Sequence, residues 1–211
     1  IIERLPKELQ TSFYRDNPKK IFVLSMISCG FYDLLWFYRH WRHFKRRAIG
    51  LNEIKQQELD IFPKDKNIIP FWSTFFCGFY IVGTARRIRD KMKSAGFSNY
   101  AIGPWWAFFL FGNDSILGFF GGTSDITLNV MVYIIDVLVV AISTWQITRL
   151  QIKANEYMTL SNECENVIEV KFKKWDIFIC LIGFVIGFFA LIGIILCYNV
   201  GQIIMEKSIE Y

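Results

Sequence analysis

Gly30-Phe31-Tyr32-Asp33-Leu34-Leu35-Trp36-Phe37-Tyr38-Arg39-His40-Trp41 decides how this sequence is read. An apolar run turns aromatic there and then abruptly basic, with Arg39, Arg42, Lys45, Arg46 and Arg47 in close succession. That order of residues is the mark of a membrane segment ending at an interface: rings of the kind of Trp36, Tyr38 and Trp41 favour the headgroup level, and cations beyond them meet water and lipid phosphates. A single acid, Asp33, lies inside the apolar part.

The totals agree. Of 211 residues, 53% are hydrophobic and 18% aromatic, and 21 Phe with 7 Trp exceed what one small core consumes. The net charge is +5, and its cations gather at the ends of apolar runs instead of along one continuous face, which excludes nucleic acid as the expected partner. The five cysteines, Cys29, Cys77, Cys164, Cys180 and Cys197, show no CxxC spacing and fall mostly inside apolar runs, so they read as small packing residues.

Working outward, Asn17-Pro18 is expected to start a helix ahead of the first membrane segment, 21–41, in which Gly30 could introduce a bend. Further segments are expected at 68–85, 104–122, 126–148 and 175–198, joined by polar loops at 42–67, 86–103 and 149–174. Pro70, Gly78 and Gly83 interrupt the second, which suits either a crossing or a re-entrant, interfacial element. The last is the cleanest, an uncharged run from Ile177 to Tyr198 behind Lys173, Lys174 and Trp175. A faint internal echo links Pro18-Lys19-Lys20-Ile21-Phe22 with Lys173-Lys174-Trp175-Asp176-Ile177-Phe178. The fold expected is an all-α, polytopic transmembrane helical bundle, one membrane domain with four or five embedded segments, the second of them either crossing or re-entrant.

Leu24-Ser25, Cys29-Gly30-Phe31-Tyr32 and Leu35-Trp36-Phe37-Tyr38-Arg39-His40-Trp41, followed by Pro70-Phe71-Trp72-Ser73-Thr74-Phe75-Phe76, resemble the signature of a family of uncharacterised bacterial membrane proteins. Members of that family typically carry a Thr-Gly-x-Tyr turn, Tyr-Trp-Phe-Tyr-Lys-Asn-Trp and Pro-Phe-Trp-Arg. Here Cys29, Leu35 and Ser73 depart from the pattern. The resemblance implies a multi-pass protein of the bacterial inner membrane and implies no activity.

Candidate polar sites are the intramembrane acids Asp33, Asp114 and Asp136, each expected to face the bundle interior, since exposing one to lipid costs about 2.5–3.5 kcal/mol. Their structural role would be interhelical hydrogen bonding and their functional one a cation or proton path. Trp36, Tyr38, Arg39, Trp41, Arg42, Pro70 and Trp72 form an expected interfacial aromatic and basic motif, and Arg46, Arg47, Arg86, Arg87 and Arg89 are candidates for lipid phosphates. His40 and His43 share a helical face and read as interfacial polar residues, with no metal and no cofactor expected. Gly183 and Gly187 form a GxxxG suited to close helix packing. No nucleophile triad, phosphate loop or HExxH occurs. The function expected is therefore non-enzymatic, a binding, scaffold or effector component contacting lipid, a membrane partner or a second copy. A small transporter or channel using the three acids is the alternative, and a lipid-handling enzyme the next.

Overall fold

Asn17 starts the first helix as its sequence suggests: its Oδ1 accepts from the backbone N–H of Lys19 (3.0 Å) and Lys20 (3.3 Å), and Pro18 occupies the first helical position. The computed structural model describes residues 6, 9–53, 67–97, 126–163 and 172–209. These form helices and turns, with no strand among the described residues. The helices are α1 (Pro18–Ile27), α2 (Phe31–Glu53), α3 (Pro70–Phe75), α4 (Cys77–Ser94), α5 (Ile126–Leu160) and α6 (Lys174–Ile209).

The stretch 21–41 is two helices and not one rod. α1 stops at Ile27, and the chain reverses through Ser28-Cys29-Gly30, with Cys29 (φ 50°) and Gly30 (φ 87°) both left-handed. Gly30 N–H donates to Ser25 O (2.9 Å) and Cys29 N–H to Met26 O (3.3 Å), the paired bonds of a Schellman stop. α4 and α5 end the same way, with Gly96 and Asn162 in the left-handed position that Cys29 fills after α1.

Helices also extend through much of what reads as loop. α2 continues to Glu53, α4 to Ser94 and α5 to Leu160, because the polar residues there retain a buried apolar face: Phe44 and Ala48 on α2, Ile88 and Met92 on α4, Leu150, Ala154 and Met158 on α5. The stretch 68–85 divides at Phe76 into the six-residue α3 and the start of α4. The segment 104–122, with Asp114, lies outside the described residues.

α2 is the central element, packing against α1, α3 and α6. Its Tyr32, Trp36, Phe37, Trp41 and Phe44 are all buried, joined by Ile81, Ala85 and Ile88 of α4 and Ile147 of α5. Trp41 packs edge-on to Tyr80, while the Arg87 guanidinium lies over the rings of Trp41 (5.0 Å) and Phe44 (4.7 Å).

The described side chains between Met131 and Leu138 on α5, and most of those between Ile177 and Leu196 on α6, differ sharply from this core. Met131, Ile134, Ile135, Val137 and Leu138 are exposed on α5. On α6 three consecutive residues, Phe184, Val185 and Ile186, are exposed, so the bare apolar surface covers most of the helix circumference. Lys174–Gly193 is one helix long and apolar enough to cross a membrane, and only 12% of it is buried inside the protein.

Candidate functional site: a buried charge cluster

Two carboxylates and two cations meet where the extended N-terminal segment, α1, α2 and the first turn of α6 converge. Asp16 lies just before α1, Lys20 in its first turn, Arg39 on α2 and Asp176 in the first turn of α6. Lys20 Nζ is 2.5 Å from Asp16 Oδ1 and 3.4 Å from Asp176 Oδ2. Arg39 reaches both acids from the other side, with Nη2 2.5 Å from Asp176 Oδ1 and Nη1 3.7 Å from Asp16 Oδ2. Tyr32 completes the cluster: its hydroxyl accepts from Arg39 Nη1 (3.1 Å), and its hydrogen can reach Asp176 Oδ1 (3.3 Å) or Asp16 Oδ2 (3.5 Å).

The group is formally neutral and almost sealed from solvent: Asp176 and Tyr32 are fully buried, and Lys20 and Asp16 nearly so. Burying ions costs several kcal/mol each unless partners and hydrogen bonds compensate, which explains why each charge faces two of opposite sign. Asp176 also accepts from Lys173 N–H (2.8 Å), so the same carboxylate caps α6.

A second polar layer ties the N-terminal segment to α5. Trp36 Nε1 donates to Gln151 Oε1 (2.7 Å), Gln151 Nε2 to Tyr14 O (3.0 Å) and Asn155 Nδ2 to Asp16 O (2.9 Å). Side chains thereby satisfy backbone carbonyls that have no helix to pair with. At the end of α5, Glu163 accepts from both the backbone N–H and the hydroxyl of Ser12 (2.6 Å each).

Asp33 lies one layer further toward the Ser28–Gly30 turn. Ser25 Oγ on α1 donates to its Oδ1, and Thr144 Oγ1 on α5 to its Oδ2 (3.0 Å). Residues nearly equidistant from the turn thus face each other, Ser25 with Asp33 and Lys20 with Arg39, so α1 and α2 form an antiparallel hairpin. Its tip rests on α6. A Cβ on Gly183 would lie 2.2 Å from Ser28 O, and one on Gly187 would lie 2.6 Å from Cys29 Sγ. The GxxxG therefore serves packing within the chain at these two positions. Gly183 and Gly187 come about two and three turns after Asp176, which places the tip roughly 10–17 Å along α6 from the cluster.

No protein-family profile, curated protein or solved structure matches this chain.

The expected interfacial motif is divided by the structure. Trp36 and Trp41 are buried, Tyr38 and Pro70 half-buried, Arg42 and Trp72 exposed, and Arg39 belongs to the internal cluster. Among the candidates for lipid phosphates, Arg46 and Arg86 are exposed, Arg47 is half-buried, Arg87 lies over Trp41 and Phe44, and Arg89 pairs with Asp90 (3.0 Å). Asp136 falls on α5, with its side chain outside the described residues.

The histidines correct the reading of an interfacial face. His40 is fully buried and His43 nearly so, because segment 11–14 folds over that side of α2. A carbonyl can only accept, so His43 Nε2 donates to Thr11 O (2.9 Å) and His40 Nδ1 to Trp36 O (3.3 Å). Burial and the neighbouring His43 push the His40 pKa down to about 3, holding the ring neutral. His40 follows Arg39 on the side of the cluster away from the hairpin tip.

Asp16, Lys20 and Asp176 are not marked as a site by local sequence. Lys20 and Asp176 leave one trace in the echo between the two Lys-Lys starts, where one start carries an inward Lys and the other an inward Asp, each within the first turn of an apolar helix.

Proposed function

We infer that this chain is a membrane-embedded helical protein of non-enzymatic character, acting by binding lipid, a second copy or a partner within the bilayer. The observation that carries the reading is α6, whose Lys174–Gly193 stretch leaves Phe184, Val185, Ile186, Phe188 and Phe189 bare. Contiguous apolar surface of that kind on a soluble protein would drive aggregation, and in lipid it costs nothing.

With α6 crossing, the charge cluster lies at one membrane face, and the Ser28–Gly30 tip reaches about the middle of a hydrocarbon core roughly 30 Å thick. The α1–α2 hairpin is then re-entrant, entering beside Asp176 and returning to Arg39. α1, with 10 residues, spans only about 15 Å and cannot cross alone. Every charge in the cluster has an opposite partner within 4 Å, which suits a structural clasp better than an open reaction centre. The bacterial inner membrane and further crossings belong to the same proposal, supported by the sequence resemblance and by the exposed Met131, Ile134, Ile135, Val137 and Leu138 of α5.

Alkaline carbonate treatment of membranes is expected to leave the chain in the pellet, and cross-linking before mild detergent extraction to return one defined assembly. Release into the supernatant would contradict the membrane reading, and monodisperse monomer throughout would contradict the binding role.

One observation favours transport as a second reading. Asp33 lies within the hairpin between the hydroxyls of Ser25 and Thr144, an arrangement that can hold or pass a proton. Proton flux in proteoliposomes that is abolished by Asp33→Asn would support it, and flux equal to empty vesicles would dismiss it.

A further inference from the structure

We propose that the face where α1 and α6 begin binds the headgroup of an anionic phospholipid, with Lys19, Lys173 and Lys174 as its cationic contacts and Phe172 and Trp175 beside its upper acyl chain. The proposal rests on the membrane reading above and adds a lipid class to it.

Asp16 and Asp176 are the acids closest to these lysines in sequence, and both turn inward to Lys20 and Arg39. Glu163, at the end of α5, directs both oxygens to Ser12. Among the described residues no ion pair reaches Lys19, Lys173 or Lys174, and all three are exposed. The cluster is therefore neutral while the described rim beside it carries three cations, a separation created by the cluster itself.

These lysines share one place because α1 and α6 pack together and Lys20 bonds Asp176 across their first turns. Lys173 Nζ also lies over the Tyr14 ring (5.7 Å), holding that cation beside the N-terminal segment. Next to them, Phe172 (59%) and Trp175 (64%) are among the most exposed aromatic side chains described, and Trp175 packs edge-on to Phe178. The bare apolar wall of α6 begins immediately below. Cations above, rings at the boundary and an apolar wall beneath match a phospholipid from phosphate to chain. Charge complementarity selects an anionic headgroup, since a zwitterionic one offsets its phosphate with its own ammonium.

The test is lipid titration of the delipidated full chain in neutral detergent, read by native mass spectrometry. Phosphatidylglycerol is expected to bind about tenfold more tightly than phosphatidylcholine, and glycerol phosphate, lacking acyl chains, should not compete. The triple variant Lys19→Gln/Lys173→Gln/Lys174→Gln should lose that preference, as should most of it the milder Lys19→Gln/Lys174→Gln, which leaves Lys173 over Tyr14. Lys93→Gln, in the last turn of α4, should keep it. Equal binding of the two lipids, or a preference unchanged in the triple variant, would overturn the proposal. Failure of the membrane reading is distinguishable, because the wild-type chain would then leave the membrane pellet in carbonate.

Discussion

Lys20 Nζ lies 3.4 Å from Asp176 Oδ2, joining the first turns of two helices whose residues are 156 positions apart. With Arg39 on the far side of the same carboxylate, that contact fastens α1 and α2 to the start of α6.

Removing one charge should cost far more than removing an opposed pair. Asp176→Asn leaves Lys20 and Arg39 sharing Asp16 and is expected to destabilise by about 3–5 kcal/mol. Adding Lys20→Met restores neutrality and should recover part of the loss, seen as a non-additive double-mutant cycle in thermal unfolding. Additive losses would show that the charges do not act as a unit.

Close approach at the hairpin tip makes a graded glycine series. Gly183→Ala pushes a Cβ into the Ser28 carbonyl and should cost about 1–3 kcal/mol, as overpacking does. Gly193→Ala meets nothing within 4 Å and should be neutral or stabilising by up to about 1 kcal/mol. Equal effects at the two positions would argue against the packed tip.

Cys29 holds a left-handed conformation that glycine adopts without strain. Cys29→Gly should therefore stabilise the fold by about 1 kcal/mol, measured as a raised unfolding temperature. It should also relieve the crowding expected in Gly187→Ala, whose new Cβ would otherwise meet Cys29 Sγ.

The gap between the ordinary His40 pKa of 6.5 and about 3 in the fold fixes a pH dependence. The unfolded chain binds the extra proton first, so the stability held by neutral His40 is complete above pH 6.5 and is lost as pH falls toward 3. His40→Leu should flatten the slope between pH 6.5 and 5, by at most about 1.4 kcal/mol per unit. Parallel wild-type and variant curves would place the titration elsewhere.

Much of this architecture is legible in the sequence, and the reasons for the rest are physical. The long uncharged run from Ile177 reads as an apolar helix long enough to cross a membrane, and Asn17-Pro18 carries its own capping chemistry. Gly30 marks the bend, but a bend and a full reversal look alike until the partner helix is known. Partner choice is what local patterns lack: nothing near Asp176 in sequence says that its cations are Lys20 and Arg39. The aromatic motif misleads for a related reason. Trp36 and Trp41 resemble interface anchors by composition, yet both are buried, Trp36 bonded to Gln151 of α5 and Trp41 packed on Tyr80 of α4.

A re-entrant α1–α2 hairpin clasped to a crossing α6 predicts a definite sidedness and depth for three positions. Single cysteines at positions 19, 27 and 42, in a background without the native cysteines, would be probed with a membrane-impermeant thiol reagent and with spin-label depth measurements. Positions 19 and 42 should react from the same side, and position 27 should lie near the bilayer centre. Reaction of 19 and 42 from opposite sides, as one continuous crossing over 21–41 requires, would contradict it.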